Sequence, residues 1–125
     1  MITFTTRGST KNLEKFLAAM QRGDLYSQVD GLAKRGVEAL RVATPVDSGI
    51  TASNWGYEIT KTGRSYTITW TNTHVINGFP VAIGLQYGHS TGTGGWVAGR
   101  DYINPAMRPT FDAIADAVWK AVQSA

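Results

Sequence analysis

Residues 43–55 read ATPVDSGITASNW, and this stretch decides how the chain on either side of it folds. Pro45 fixes its own φ, lacks an N–H donor and pushes Thr44 out of the α region, so a helix arriving from the N-terminal side ends here. Asp47-Ser48-Gly49 then supplies turn chemistry: a carboxylate that bonds backbone two residues on, a hydroxyl, and a glycine free to take positive φ. Trp55 is the first large apolar group of the segment that follows. The stretch reads as a helix-to-strand corner, with Thr44, Pro45, Asp47 and Gly49 as its structural residues.

Upstream, Leu25, Val29, Leu32, Ala33, Val37, Leu40 and Ala43 recur at helical spacing, with Asp30, Lys34, Glu38 and Arg41 opposite. They predict a helix over 24–43 capped by Asp24. Gly31 and Gly36 weaken it by up to about 1 kcal/mol each relative to alanine, although a helical glycine also lets another backbone approach closely. Before it, Leu13, Phe16, Leu17 and Met20 give the stripe of a shorter helix, capped by Ser9 or Thr10 and ended by Gly23. Met1–Thr5 alternates as a short strand, with Ile2 and Phe4 on one side, and Gly8 breaks it.

Downstream, Trp55, Tyr57 and Ile59 alternate with polar residues, and after the turn Lys61-Thr62-Gly63-Arg64 so do Tyr66, Ile68 and Trp70. The pattern predicts an antiparallel hairpin with an aromatic inner face and a threonine-rich outer face. A loop over 72–80 turns at Asn77-Gly78 and stops at Pro80. Val81, Ile83, Leu85 and Tyr87 then alternate as a third main strand. GHSTGTGGWVAGR (residues 88–100) holds five glycines around a single tryptophan and reads as a long loop or hairpin tip, before a brief extended return over 101–103. Asn104 and Pro105 are the cap and first residue of a last helix, with an apolar stripe of Met107, Phe111, Ile114, Ala115, Val118, Trp119 and Val122; Pro109 is tolerated there or kinks it.

The order implies a single α+β domain over 1–125. It is an antiparallel sheet of three to five strands, packed on one side by two long helices plus a short N-terminal helix. Hydrophobic content of 42% and charged content of 17% suit a globular chain. The absence of cysteine excludes disulfides, thiolate metal sites and cysteine nucleophiles. No apolar run is long enough to span a bilayer, and the first residues lack the charge and hydropathy of a signal peptide. The net charge of +3 is scattered along the chain and does not form the patch a nucleic-acid reader needs.

Catalytic and ligand-binding readings find little purchase. His74 and His89 lie in Thr-, Gly- and Asn-rich loops without cysteine or carboxylate at ligand spacing, so no metal site is expected and surface or interface roles fit better. The glycine run lacks the Gly-Lys-Ser/Thr and following helix of a phosphate loop, and no cofactor is expected. Asp47 and Ser48 sit on no nucleophile elbow, and Glu14, Glu38 and Glu58 fall on predicted solvated faces, so the chain does not read as an enzyme. Trp96 is different: flanked by Gly94, Gly95 and Gly99, it lacks local neighbours, as anchors of protein interfaces do, unless it folds back onto its own sheet.

Three pieces together resemble one family. A long helix ends in TPVDSG (Thr44–Gly49), with Trp55 six residues past the glycine. An aliphatic segment ends in LQYGHSTGTGGWVAGRDYINPAMRP (Leu85–Pro109), which contains a YG turn and a Tyr-Ile-Asn-Pro-Ala approach to the last helix. A C-terminal amphipathic helix follows. The combination is similar to the tail-component family of tailed bacteriophages, also described as tail-completion or head–tail joining (neck) proteins of long-tailed phages. The likeness covers Leu13 to Val122. The chain departs from the family's pattern where Ile50-Thr51 replace a frequent basic residue and where Gln86 replaces a frequent acid before the YG turn, so a salt bridge those positions support is absent.

The resemblance implies a virion structural component of the tail or neck, found in the host cytoplasm during assembly, with no catalysis and no membrane. It implies self-association into a ring of six copies between the capsid connector and the tail, beside neighbouring neck, stopper or tail-terminator proteins, with genome DNA passing through the lumen. A tail terminator or other minor tail subunit, and a small basic nucleic-acid-binding module, are the alternatives. On this reading Trp55, Tyr87, His89, Trp96 and Arg100 are interaction residues, and residues 88–100 dock onto an adjacent subunit or ring.

Overall fold

The computed structural model of the chain describes residues 2–5, 10–45, 49–63, 65–90 and 94–124. Gly8, Ser9, Asp47, Ser48, Arg64 and residues 91–93, to which the sequence assigns break, cap and turn roles, lie outside them. A strand β1 (Ile2–Thr5) is followed by helices α1 (Thr10–Arg22), α2 (Asp24–Ala43) and α3 (Ile50–Ser53). Next come β2 (Trp55–Thr62) and β3 (Ser65–Asn72), then the two-residue strands β4 (Val75–Ile76) and β5 (Phe79–Pro80). Helix α4 (Val81–Tyr87), strands β6 (Gly88–Ser90) and β7 (Trp96–Ala98), and helix α5 (Ile103–Ser124) complete the order.

The main sheet is antiparallel with order β1-β3-β2. Its register puts Tyr57 opposite Trp70 and Ile59 opposite Ile68, with Ile2 on the other side of Trp70. That face carries the apolar positions the alternation predicts, and the threonines fall on the other face. Helices cover the apolar face. Phe16 of α1 meets the Tyr66 ring edge-on at 5.6 Å, and Phe111 of α5 meets Trp70 in the same way at 5.7 Å. Buried Leu25, Val29, Ala33 and Leu40 of α2 and Met107, Ile114 and Val122 of α5 complete the core. The fold is the α+β arrangement the residue pattern calls for.

Trp70 is fully buried, and its indole N–H donates to the Ala33 carbonyl oxygen at 3.0 Å. Gly36, one turn further along α2, makes room for that indole. A Cβ there would lie 2.9 Å from Trp70 Nε1 and 3.1 Å from both Met107 Cε and Thr110 Cγ2. Nothing stands within 4 Å of the equivalent point on Gly31, so only one of the two helical glycines serves close approach.

Three local expectations are corrected. Residues 81–87 form helix α4 and not a third main strand; among the described residues the main sheet has three strands, the low end of the expected range. Seven residues of mixed apolar character satisfy either period, and contacts from distant residues decide between them. Pro80 does end the 72–80 segment as expected, and the element that starts at Val81 is this helix. Ala115 and Trp119 point outward from α5, while Ala117 and Ala121 pack toward the core. Gly23, left-handed with φ 89°, ends α1 as expected, but it is also the cap of α2, and Asp24 is the first residue of that helix and not its cap.

Candidate interaction surface

The corner forms as its residues dictate. Thr44 is extended (φ −63°, ψ 126°), as a residue before proline must be, and Gly49 takes φ 81°. Thr44 is buried and its hydroxyl donates to the Leu40 carbonyl oxygen at 2.5 Å, closing the end of α2. The same hydroxyl oxygen accepts the Trp55 indole N–H at 2.8 Å. Trp55 is therefore a buried clamp between helix end and strand start, and its assignment as an interaction residue is overturned: only 9% of it is exposed. Pro45 is half-buried beside it, and Asp47 lies outside the described residues.

Past Gly49 the elbow is a short helix and not a plain turn. A polar network fastens it to the end of β3. Asn72 donates to the Thr51 carbonyl oxygen at 2.7 Å and accepts the His74 backbone N–H at 2.9 Å. His74 Nδ1 stands 2.6 Å from the Thr51 hydroxyl, so this half-buried histidine braces the short helix against the end of β3. The Thr73 N–H and hydroxyl both reach Asn54, at 3.3 and 3.0 Å.

From this mount the chain runs into two small hairpins with α4 between them. Asn77 (φ 50°) and Gly78 (φ 78°) make the first turn. In the second hairpin, Gly88 pairs with Ala98, His89 with Val97 and Ser90 with Trp96. Its base is held against α4. The Arg100 N–H donates to the Leu85 carbonyl oxygen at 2.9 Å, and a Cβ on Gly99 would collide with the backbone of Gln86, Tyr87 and Gly88.

Gln86 ties the hairpins to α5. Its Oε1 accepts the backbone N–H groups of Tyr102 and Ile103 at 3.0 and 2.9 Å, while its Nε2 donates to Asp101 at 2.7 Å. The buried glutamine thus caps the helix where Asn104 was expected to; the Asn104 amide instead donates to Asp101. Tyr102 donates its hydroxyl to the Ala82 carbonyl oxygen at 2.6 Å, and burial pushes its pKa up to about 12.

The two hairpins and the end of α4 expose large apolar side chains among neutral polar residues and glycines such as Thr73, Asn77 and Gly94. Val75, Ile76, Phe79, Tyr87, Trp96 and Val97 are exposed large hydrophobic side chains, with Tyr87 at 70% and Trp96 at 68%. Tyr87 and Trp96 are thus open to solvent, the Trp96 ring leaning on Gly88 of its own hairpin with most of its surface free. Arg100 is exposed at the hairpin's exit, and the His89 side chain lies outside the described residues. One sequence signal of this surface escaped pattern reading: residues 65–99 contain no Asp, Glu, Lys or Arg. Depletion of charge with aromatic enrichment marks the core of a protein–protein interface.

Among the described residues, no group of three or more His, Asp or Glu could hold a metal ion. No helix there is long and apolar enough to cross a membrane. Comparison of the chain with protein-family models, curated proteins and solved structures finds no match.

Proposed function

We propose that the chain is a structural subunit of a tailed-bacteriophage particle, a tail-completion or neck protein that assembles into a ring joining the capsid connector to the tail. The observation that carries this reading is the set of exposed large apolar side chains, Val75, Ile76, Phe79, Tyr87, Trp96 and Val97, in a stretch of sequence without a charged residue. Isolated monomers rarely maintain such surfaces, and rings of cyclic symmetry need them for subunit contact. The TPVDSG corner, the YG turn and the Tyr-Ile-Asn-Pro-Ala approach to α5 support the family resemblance, and the fold gives each a mechanical part. The corner locks α2 to the sheet through Thr44 and Trp55. The YG turn starts the aromatic hairpin, and the approach to α5 anchors its base through Gln86.

In this role the protein performs no chemical transformation; it binds copies of itself and adjoining particle components, around a lumen that passes DNA. The test is genetic and visual. Removing the coding sequence from a phage that carries it should leave full heads and separate tails in electron micrographs, with joining restored by the protein supplied from a plasmid. Intact infectious particles from the deletion would overturn the reading, as would a chain absent from purified particles by mass spectrometry.

A further inference from the structure

At the end of the molecule away from the hairpins, α1, α2 and α5 enclose an open groove of about 290 Å³, floored by Ala19, Ala117 and Ala121 and rimmed by Arg22, Asp24 and Lys120. We propose that this groove receives the Trp96 edge of the β6–β7 hairpin of a second copy, so that copies join head to tail. The inference rests on the ring reading above and names the contact that would build the ring.

Size favours the fit. A cavity of about 150 Å³ accommodates a benzene ring, so this groove has room for an indole. Trp96 is presented for it: the indole lies over Gly88, where a Cβ would come within 2.8 Å of Cζ2, yet 68% of the residue faces solvent. An anchor already held in one place loses little freedom on docking.

Electrostatics point the same way. The faces of indole and phenol rings are negative, and Arg22 and Lys120 put two cations on the groove's rim. Lys120 also pairs with Asp116 at 3.0 Å, which keeps it beside the opening. The incoming segment carries no charge from residue 65 to 99, so it meets no like-charge repulsion, and Arg100 at its exit gives Asp24 an opposite partner.

Position makes the occupant another copy. The hairpin is tied to the first turn of α5 through Gln86, whereas the groove lies at Ala117 and Ala121, about 20 Å further along that helix at 1.5 Å per residue. One molecule therefore holds the two halves of the contact at separate ends, the arrangement that repeats as a heterologous interface. Aromatic side chains bury about 150–250 Å² each, so Trp96 and Tyr87 supply the centre of the roughly 800 Å² per partner that a specific interface needs.

Sedimentation and native mass measurements across a concentration series up to millimolar test this. Wild-type protein should self-associate. Trp96→Ala, which alters an exposed side chain, and Ala117→Phe, which fills the groove, should each weaken association about tenfold or more. Gln28→Trp, at an exposed position on the groove wall, blocks it without touching the core and is the second variant should Ala117→Phe fail to fold. A mixture of Trp96→Ala with a groove-blocked variant retains one good hairpin and one good groove, and should form one-to-one pairs that grow no further. Association unchanged in both kinds of variant, or a mixture that does not pair, overturns the hairpin-in-groove contact while leaving the ring to other surfaces. A wild-type chain that stays monomeric overturns it too, and the gene-removal experiment then decides the ring reading by itself.

Discussion

Trp55 and Thr44, eleven residues apart in sequence, share a buried hydrogen bond of 2.8 Å that fastens the first strand of the hairpin to the end of α2. Because the Thr44 hydroxyl also donates to Leu40, the corner is a relay in which each polar group is satisfied. Thr44→Val keeps the shape and removes both bonds, leaving a buried indole N–H unpaired. Such a loss costs about 1–3 kcal/mol. Chemical denaturation should show that destabilisation for Thr44→Val and much less for Thr44→Ser, which restores the oxygen.

The two glycines of α2 should respond to alanine with opposite signs. Gly31→Ala adds a methyl group where nothing stands within 4 Å, so helix propensity alone should stabilise the protein by about 0.5–1 kcal/mol. Gly36→Ala gains the same propensity but drives its methyl to 2.9 Å from Trp70 Nε1, in an indole pinned by its bond to Ala33. Overpacking of that kind costs about 1–3 kcal/mol and should outweigh the gain. Thermal melting of the two variants side by side checks the sign of each.

These two sites also mark where the sequence was legible. The stripes of α1 and α2 and the Trp55–Trp70 hairpin could be read directly, because local periodicity specifies them and burial follows the same period. The corner could be read because Pro45 acts on its immediate neighbour. Residues 81–87 could not be read correctly: alternation suggested a strand, but the bonds that hold α4 come from Arg100, Tyr102 and the start of α5. Trp55 and Trp96 look alike in sequence, each a tryptophan after small or polar residues. Only the fold separates them, since the Thr44 hydroxyl accepts the N–H of one while most of the other faces solvent. The buried role of Gln86 rests wholly on partners fifteen to seventeen residues away, which no local pattern encodes.

Gln86 makes a charge-sensitive prediction. Replacing it with glutamate keeps the acceptor for Tyr102 and Ile103 but removes the amide that donates to Asp101, and sets a buried carboxylate against the exposed one of Asp101. Gln86→Glu should therefore destabilise the fold by about 2–3 kcal/mol at neutral pH. Repulsion raises the carboxyl's folded pKa above its unfolded value, so the variant should recover stability as pH falls into the carboxylate range. Asp101→Asn in the same chain should restore much of the loss at pH 7, by supplying a donor in place of a charge. Equal stability of single and double variants in urea titrations would show that the two side chains do not interact.

Alkaline pH provides the last test. Burial, aided by the Asp30 carboxylate that accepts its hydroxyl, pushes Tyr57 up to about 12, and burial alone does the same to Tyr102. A group whose folded pKa lies above its unfolded value of 10 contributes stability that is complete below pH 10 and disappears as pH rises toward 12. For Tyr102, which is only 3% exposed, that contribution is about 2–3 kcal/mol. Asp30 behaves in the opposite sense. The Tyr57 hydroxyl, with Lys34, holds its pKa below 3.8, so its contribution is present above that pH and fades as pH falls further. The double variant Tyr57→Phe with Tyr102→Phe should start less stable at pH 7, because two hydrogen bonds are gone, yet lose much less between pH 10 and 12 than the parent. Tyr57→Phe alone should also flatten the acid limb below pH 4, since Asp30 has lost the donor that lowers it. Urea unfolding midpoints across the pH range read both effects, and parallel alkaline slopes for parent and double variant would mean that neither phenol carries the linkage.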